Sequence, residues 1–166
     1  MRAGQISIAI TLCALAAGPA RADIVALGIG ARVGAPTAPR PEALDSLCYG
    51  LFGHVGGRSF VELALDRCPT AQEDRPTTRL SAAVGFRPLR LLVSPFVQLG
   101  VGGELAPDDA LYPLAFAGVG ADIALSKHLR LGVALRLEAR ADLSGGTGEA
   151  DLSRDTMAQL FLRWDL

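Results

Sequence analysis

The chain has 166 residues, room for one domain, and a formal charge of −1, a balance that offers no electrostatic handle on nucleic acid. Hydrophobic residues make up 50% of it, yet no apolar run reaches the roughly 18–20 residues that a membrane-spanning helix requires.

Residues 1–22 read as a secretory signal peptide. Arg2 supplies the positive start and residues 6–17 the apolar stretch. Gly18-Pro19 breaks it, and Ala20-Arg21-Ala22 is a small-residue cleavage site. A short buried helix is the alternative. Leu12 stands before Cys13, where a lipoprotein signal wants a small residue. The mature domain is then residues 23–166.

From there the pattern has a period of two, the signature of strands. Val25, Leu27, Ile29, Ala31 and Val33 alternate with Gly28, Gly30 and Arg32. Residues 47–67 offer two strands. Leu47, Tyr49, Leu51, Gly53 and Val55 face one way, Gly56-Gly57 makes a hairpin turn, and Val61, Leu63 and Leu65 follow opposite Glu62 and Asp66. Residues 60–67 also contain good helix formers, so a helix is the alternative there.

Leu80, Ala82, Val84 and Phe86 alternate with Arg79, Ser81, Ala83 and Gly85. A strand over 89–103 sets Leu91, Val93, Pro95, Val97, Leu99 and Val101 on one face, with Leu92 on the other. Odd positions 115–125 are apolar around Asp122. Residues 129–142 separate most cleanly, with Leu129, Leu131, Val133, Leu135, Leu137, Ala139 and Ala141 against Arg130, Arg136, Glu138, Arg140 and Asp142. The last strand sets Ala158, Leu160, Leu162, Trp164 and Leu166 against Gln159, Arg163 and Asp165. The spacing predicts eight strands. Their connections alternate between long (36–46, 68–78, 105–111, 144–155) and short (Gly56-Gly57, Arg87-Pro88, Ser126-Lys127-His128).

The content of the two faces suggests their surroundings. The apolar face carries no charge, whereas the other holds Arg32, Glu62, Asp66, Arg79, Asp122, Arg130, Arg136, Glu138, Arg140, Arg163 and Asp165 among many small residues. A charge facing lipid at mid-depth costs about 2–4 kcal/mol, so lipid demands such exclusion. Small residues suit the crowded interior of a narrow barrel.

The succession Pro95-Phe96-Val97-Gln98-Leu99-Gly100-Val101-Gly102, then Gly118-Val119-Gly120-Ala121-Asp122, then the long alternating strand to Arg140, resembles the small outer-membrane β-barrel superfamily, the OmpA/OmpX-like eight-stranded barrels. The resemblance covers most of the mature chain and is strongest from Leu89 onward. It implies an all-β, antiparallel, up-and-down transmembrane barrel in a Gram-negative outer membrane, monomeric, with short periplasmic turns and external loops. Its partners would be outer-membrane lipid and the barrel-insertion machinery. The family usually ends in an aromatic residue, whereas this chain ends Trp164-Asp165-Leu166.

Buried charges must pair. The expectation is therefore an internal salt-bridge network of Arg32, Glu62, Asp122, Arg130, Arg136, Glu138, Arg140 and Arg163 that fills the lumen. A gated ion path is the sharper alternative. Cys48 and Cys68 share strand parity at the outer ends of their strands. A disulfide between them would close a loop of about 20 residues, worth roughly 3 kcal/mol in the chain-entropy model; two free thiols are the alternative. Some barrels of this kind act on lipid A through His, Ser and an acid near the outer rim. Here His54 and His128 both lie near short turns, so no catalysis is expected. Asp108-Asp109 and Glu149-Ala150-Asp151 lack calcium-loop spacing, and the Gly-rich stretches at 100–103 and 145–148 precede no helix, so no metal or cofactor is expected either. The expected role is structural or surface-interacting. The alternatives are a secreted soluble β-barrel or sandwich binding an apolar ligand and a lipid-modifying enzyme.

Overall fold

Alternation carried far enough closes on itself. The computed structural model describes residues 26–37, 47–70, 73–89, 92–106, 110–142 and 151–166. They form β1 (Ala26–Pro36), β2 (Cys48–Gly56), β3 (Ser59–Thr70), β4 (Glu73–Phe86), β5 (Val93–Leu105), β6 (Leu111–Ala124), β7 (Leu129–Asp142) and β8 (Asp151–Asp165). Each strand pairs antiparallel with the next, and β8 pairs back onto β1. No strand edge is left open, which is how an all-β chain avoids an unpaired ladder. The leader reading, Asp108-Asp109 and the glycines at 145–148 lie outside the described residues.

The pairing also fixes the shape. Ala26 pairs with Gly56, and the row continues through Phe60, Gly85, Gln98, Gly118, Arg136 and Met157. Met157 then pairs with Pro36, so one circuit returns to β1 ten residues along. A stagger of this kind tilts the strands, typically by about 35–45°, and eight strands leave a lumen only wide enough for side chains.

The barrel is inside out relative to a soluble one. Leu51, Leu63, Leu80, Leu99, Val101 and Leu137 are among many exposed outward residues, while Arg32, Arg79, Asp122, Arg136, Glu138 and Arg163 are buried inward. Residues 60–67 are strand, not helix. Phe60, Ala64 and Asp66 are buried whereas Val61, Leu63 and Leu65 are exposed, a separation that a helical period would destroy.

Five inward phenylalanines fill the lumen, each directly across the ladder from a glycine. The pairs are Phe52–Gly30, Phe60–Gly85, Phe96–Gly120, Phe116–Gly100 and Phe161–Gly132. In every pair the ring lies where a Cβ on the glycine would stand. Phe52, Phe60, Phe96 and Phe161 then meet edge to face, with centroids 5.9–6.0 Å apart.

Several connections differ from expectation. β2 runs through Gly56, whose φ is +133°, so the first hairpin turns on Gly57-Arg58 instead of Gly56-Gly57. A Cβ at Gly56 would also collide with the Ser59 backbone. The second short turn is longer than Arg87-Pro88, because β5 opens only at Val93 and Leu92 is exposed in the turn. The long connection expected over 68–78 is mostly ladder. β3 reaches Thr70 and β4 begins at Glu73, with Cys68 paired to Thr77 and the register shifting between Cys68 and Thr70. Likewise β8 begins at Asp151, inside the expected loop 144–155. Beyond the apolar band both faces carry polar residues, so the ladder continues without hydrophobic alternation to mark it. The strict long–short alternation therefore fails at the β3–β4 connection.

Candidate functional site in the charged lumen

The inward residues of all eight strands form three tiers. At the end holding the short turns, Asp122 on β6 has no exposed surface. Arg130 Nη1 reaches its carboxylate at 2.6 Å, Arg87 Nε at 3.3 Å and Arg163 Nη1 at 3.7 Å. Asp165 takes Arg163 Nε at 2.6 Å and Arg130 Nε at 3.3 Å. Arg87 also donates to the Gly57 carbonyl at 3.1 Å and lies 4.1 Å above the Phe60 ring.

His54 is wedged into this tier. Its Nε2 lies 3.4 Å from Arg87 Nη1 and 3.5 Å from Arg163 Nη1. A guanidinium can only donate, so Nε2 is an acceptor and the ring is neutral.

In the middle tier, Arg32 on β1 grips both carboxylate oxygens of Asp66 on β3 and holds Glu62 through Nη1 at 2.7 Å. Arg136 on β7 reaches the same Glu62 oxygen at 3.0 Å and packs 4.5 Å over Phe116. With the Gln98 amide turned so that its oxygen faces Arg136, that oxygen accepts from Nε at 2.8 Å.

In the outer tier, Arg79 Nη1 donates to Glu138 at 3.1 Å, and Arg140 Nη1 donates to Glu104 at 3.2 Å. Arg79 Nε and Glu104 Oε2 lie 2.7 Å apart but are misaligned, so their contact is ionic and not a hydrogen bond. Arg140 extends to Asp155 at 3.6 Å.

All eight charges named from the sequence thus point inward and pair. Sequence reasoning missed His54, Arg87 and Glu104 as members. His54 was read only for its nearness to the Gly56-Gly57 turn, yet it lies within β2 on the inward parity of Phe52. Arg87 continues the odd, inward parity of β4 past its last ladder residue, and Glu104 continues the even parity of β5. Parity carried to the strand ends was the usable signal. Among the described residues, seven arginines meet seven carboxylates in these ion pairs. The space left among Arg32, Glu62, Arg87, Phe96 and Arg136 is a cavity of about 20 Å³, about one water.

Cys48 and Cys68 face inward across the β2–β3 ladder, joined as a disulfide with Cα atoms 4.0 Å apart, and pack on Met157. His128 sits on the exposed β6–β7 turn, stacked on Trp164 at 5.8 Å, with Nδ1 3.0 Å from the Asp165 carbonyl. Ser126 Oγ accepts from the backbone N–H groups of His128 and Leu129. Among the described residues, neither histidine is hydrogen-bonded to a serine hydroxyl that it would activate. Among the described residues, no group of three His, Cys, Asp or Glu side chains is arranged to hold a metal ion.

No family model and no curated protein sequence matches the chain. Solved structures match its shape. The N-terminal β-barrel domain of Pseudomonas aeruginosa OprF superposes with a TM-score of 0.59 at 14% identity, over 85% of this chain and 97% of that one. The solution NMR structure of the de novo designed protein TMB2.3 gives a TM-score of 0.53 at 14% identity, over 89% and 98%. A second structure from de novo transmembrane β-barrel design gives 0.51 at 16%, over 85% and 95%. The chain has the fold of the small eight-stranded outer-membrane barrels.

Proposed function

We propose that the chain is a non-enzymatic, monomeric outer-membrane barrel whose lumen is plugged by its own side chains and which acts through the loops at its outer end. The observation that carries this reading is the inversion of the barrel, with an apolar exterior around an interior of paired charges. A soluble monomer rarely exposes an apolar patch beyond a few hundred Å²; here such residues run around the whole wall. A carrier of apolar ligands would need an apolar cavity, whereas this interior is lined by arginines and carboxylates around about 20 Å³. Export through the leader at residues 1–22 and insertion by the barrel-assembly machinery belong to the same reading.

Three measurements test it together. The protein should require detergent or lipid, migrate faster on a gel before heating than after, and give negligible conductance in a planar bilayer. A protein that stays folded and soluble without detergent refutes the membrane reading, and a steady ion current refutes the plug.

A further inference from the structure

The outward face is not charge-free to its upper end. On β3, Leu63 and Leu65 are followed on the same row by Arg67, which is exposed. On β8, Arg154 is exposed two outward positions above Ala158 on the same parity. Neither has a side-chain partner among the described residues. Arg67 pairs across the ladder with Tyr49, also exposed.

Below them the wall is hollowed. A groove of about 670 Å³ crosses the β8–β1–β2–β3 side. Ala31 and Gly53 form its floor, and Ile29, Leu51, Leu63 and Leu162 its walls. A Cβ on Gly53 would meet nothing within 4 Å, so the hollow is open to the surroundings. The groove begins beside Trp164 at the turn end and reaches Leu65, one outward position below Arg67.

We propose that this face holds a phosphorylated lipid of the outer leaflet, with its phosphate on Arg67 beside the Tyr49 hydroxyl and an acyl chain in the groove. The inference rests on the membrane reading above. Charge complementarity selects the occupant. Two cations with no carboxylate partner among the described residues, at the upper edge of an apolar wall, face the level where lipid phosphates lie. An outward arginine costs about 2–4 kcal/mol at mid-depth but only about 0–1 near the interface. Guanidinium groups bind phosphate oxygens through paired hydrogen bonds, and tyrosine favours the interface. Arg154, on the other side of β1, supplies a second phosphate contact.

The test is native mass spectrometry of the protein in maltoside micelles, which contain no phosphate. The probes are lipid A, enzymatically dephosphorylated lipid A and phosphatidylcholine. The protein should retain lipid A about tenfold more tightly than its dephosphorylated form, a modest return for charge-assisted contacts. The double variant Arg67→Ala/Arg154→Ala should lose that preference. Ala31→Phe, which fills the groove floor, should weaken both forms of lipid A alike. Arg58→Ala/Lys127→Ala, in turns at the opposite end, should change nothing. Equal retention of the two forms, an undiminished preference in the double variant, or an equal loss in the turn variant overturns the proposal. Heat-modifiable mobility is read on the same samples. A folded, detergent-dependent barrel without phosphate preference overturns this inference alone, whereas a soluble one overturns the membrane reading as well.

Discussion

Replacing Asp122 with Asn tests whether the lumen is held by paired charge. Asp122 is fully buried and takes Arg130 at 2.6 Å, Arg87 at 3.3 Å and Arg163 at 3.7 Å. Arg130 and Arg163 have a second carboxylate in Asp165; Arg87 has none among its described ion pairs. Asn preserves the shape and one acceptor oxygen but removes the charge, leaving three guanidinium groups against one carboxylate. Breaking a buried pair from one side costs about 3–5 kcal/mol, and the retained acceptor puts the expected loss near 3 kcal/mol. The assay is equilibrium urea unfolding in lipid bilayers, followed by the fluorescence of Trp164, the single tryptophan. Adding Arg87→Met to Asp122→Asn removes the orphaned cation and should recover at least about 1 kcal/mol. A loss below about 1 kcal/mol, or no recovery in the double variant, would mean that this tier is solvated and refute the reasoning.

Gly85→Leu should prevent or severely impair folding, because its side chain would occupy the space of the Phe60 ring, while Phe60→Ala should fold with a loss of about 3–5 kcal/mol, as a buried ring leaves a cavity; both are read by heat-modifiable mobility and urea titration. Reduction, or Cys48→Ser/Cys68→Ser, should lower stability by roughly 3 kcal/mol for a loop of this length; a thiol assay finding two free groups in the unreduced protein would remove the premise. Glu62→Ala should destabilise the middle tier by about 3–5 kcal/mol, since Arg32 and Arg136 both bind it, and conductance should stay negligible as long as the barrel folds, because the four-ring phenylalanine layer still blocks the bore.

Most of the architecture was legible because the outward wall and the lumen place opposite demands on neighbouring residues, apolar against charged. Strand β7 coincides with the sequence reading at both ends, since every outward position there is apolar and the inward ones carry Arg130, Arg136, Glu138 and Arg140. Legibility fails where that contrast ends. The ladder over Cys68–Thr77 runs through Arg, Pro and Thr above the apolar band, and nothing in the alternation records it. His54 was not counted among the inward charges because only its nearness to Gly56-Gly57 was weighed, while its inward parity in the strand passed unused. The partners within the lumen were not legible at all. Arg32 selects Asp66 and Glu62 through the tilt of the strands, a quantity that depends on how all eight registers add up.

That choice of partners bears on how the barrel is assembled. Arg32 on β1 is answered from β3, Glu62 on β3 also from β7, and Glu138 on β7 from β4, whereas Arg163 and Arg130 find carboxylates on their own or an adjacent strand. A hairpin entering the bilayer alone would carry arginines and carboxylates whose counterparts are still elsewhere. Only the closed ring satisfies the pairs that cross the lumen. On the membrane reading proposed above, the chain gains little at these cross-lumen pairs from inserting piecemeal, and crossing the membrane and completing the circle become coupled.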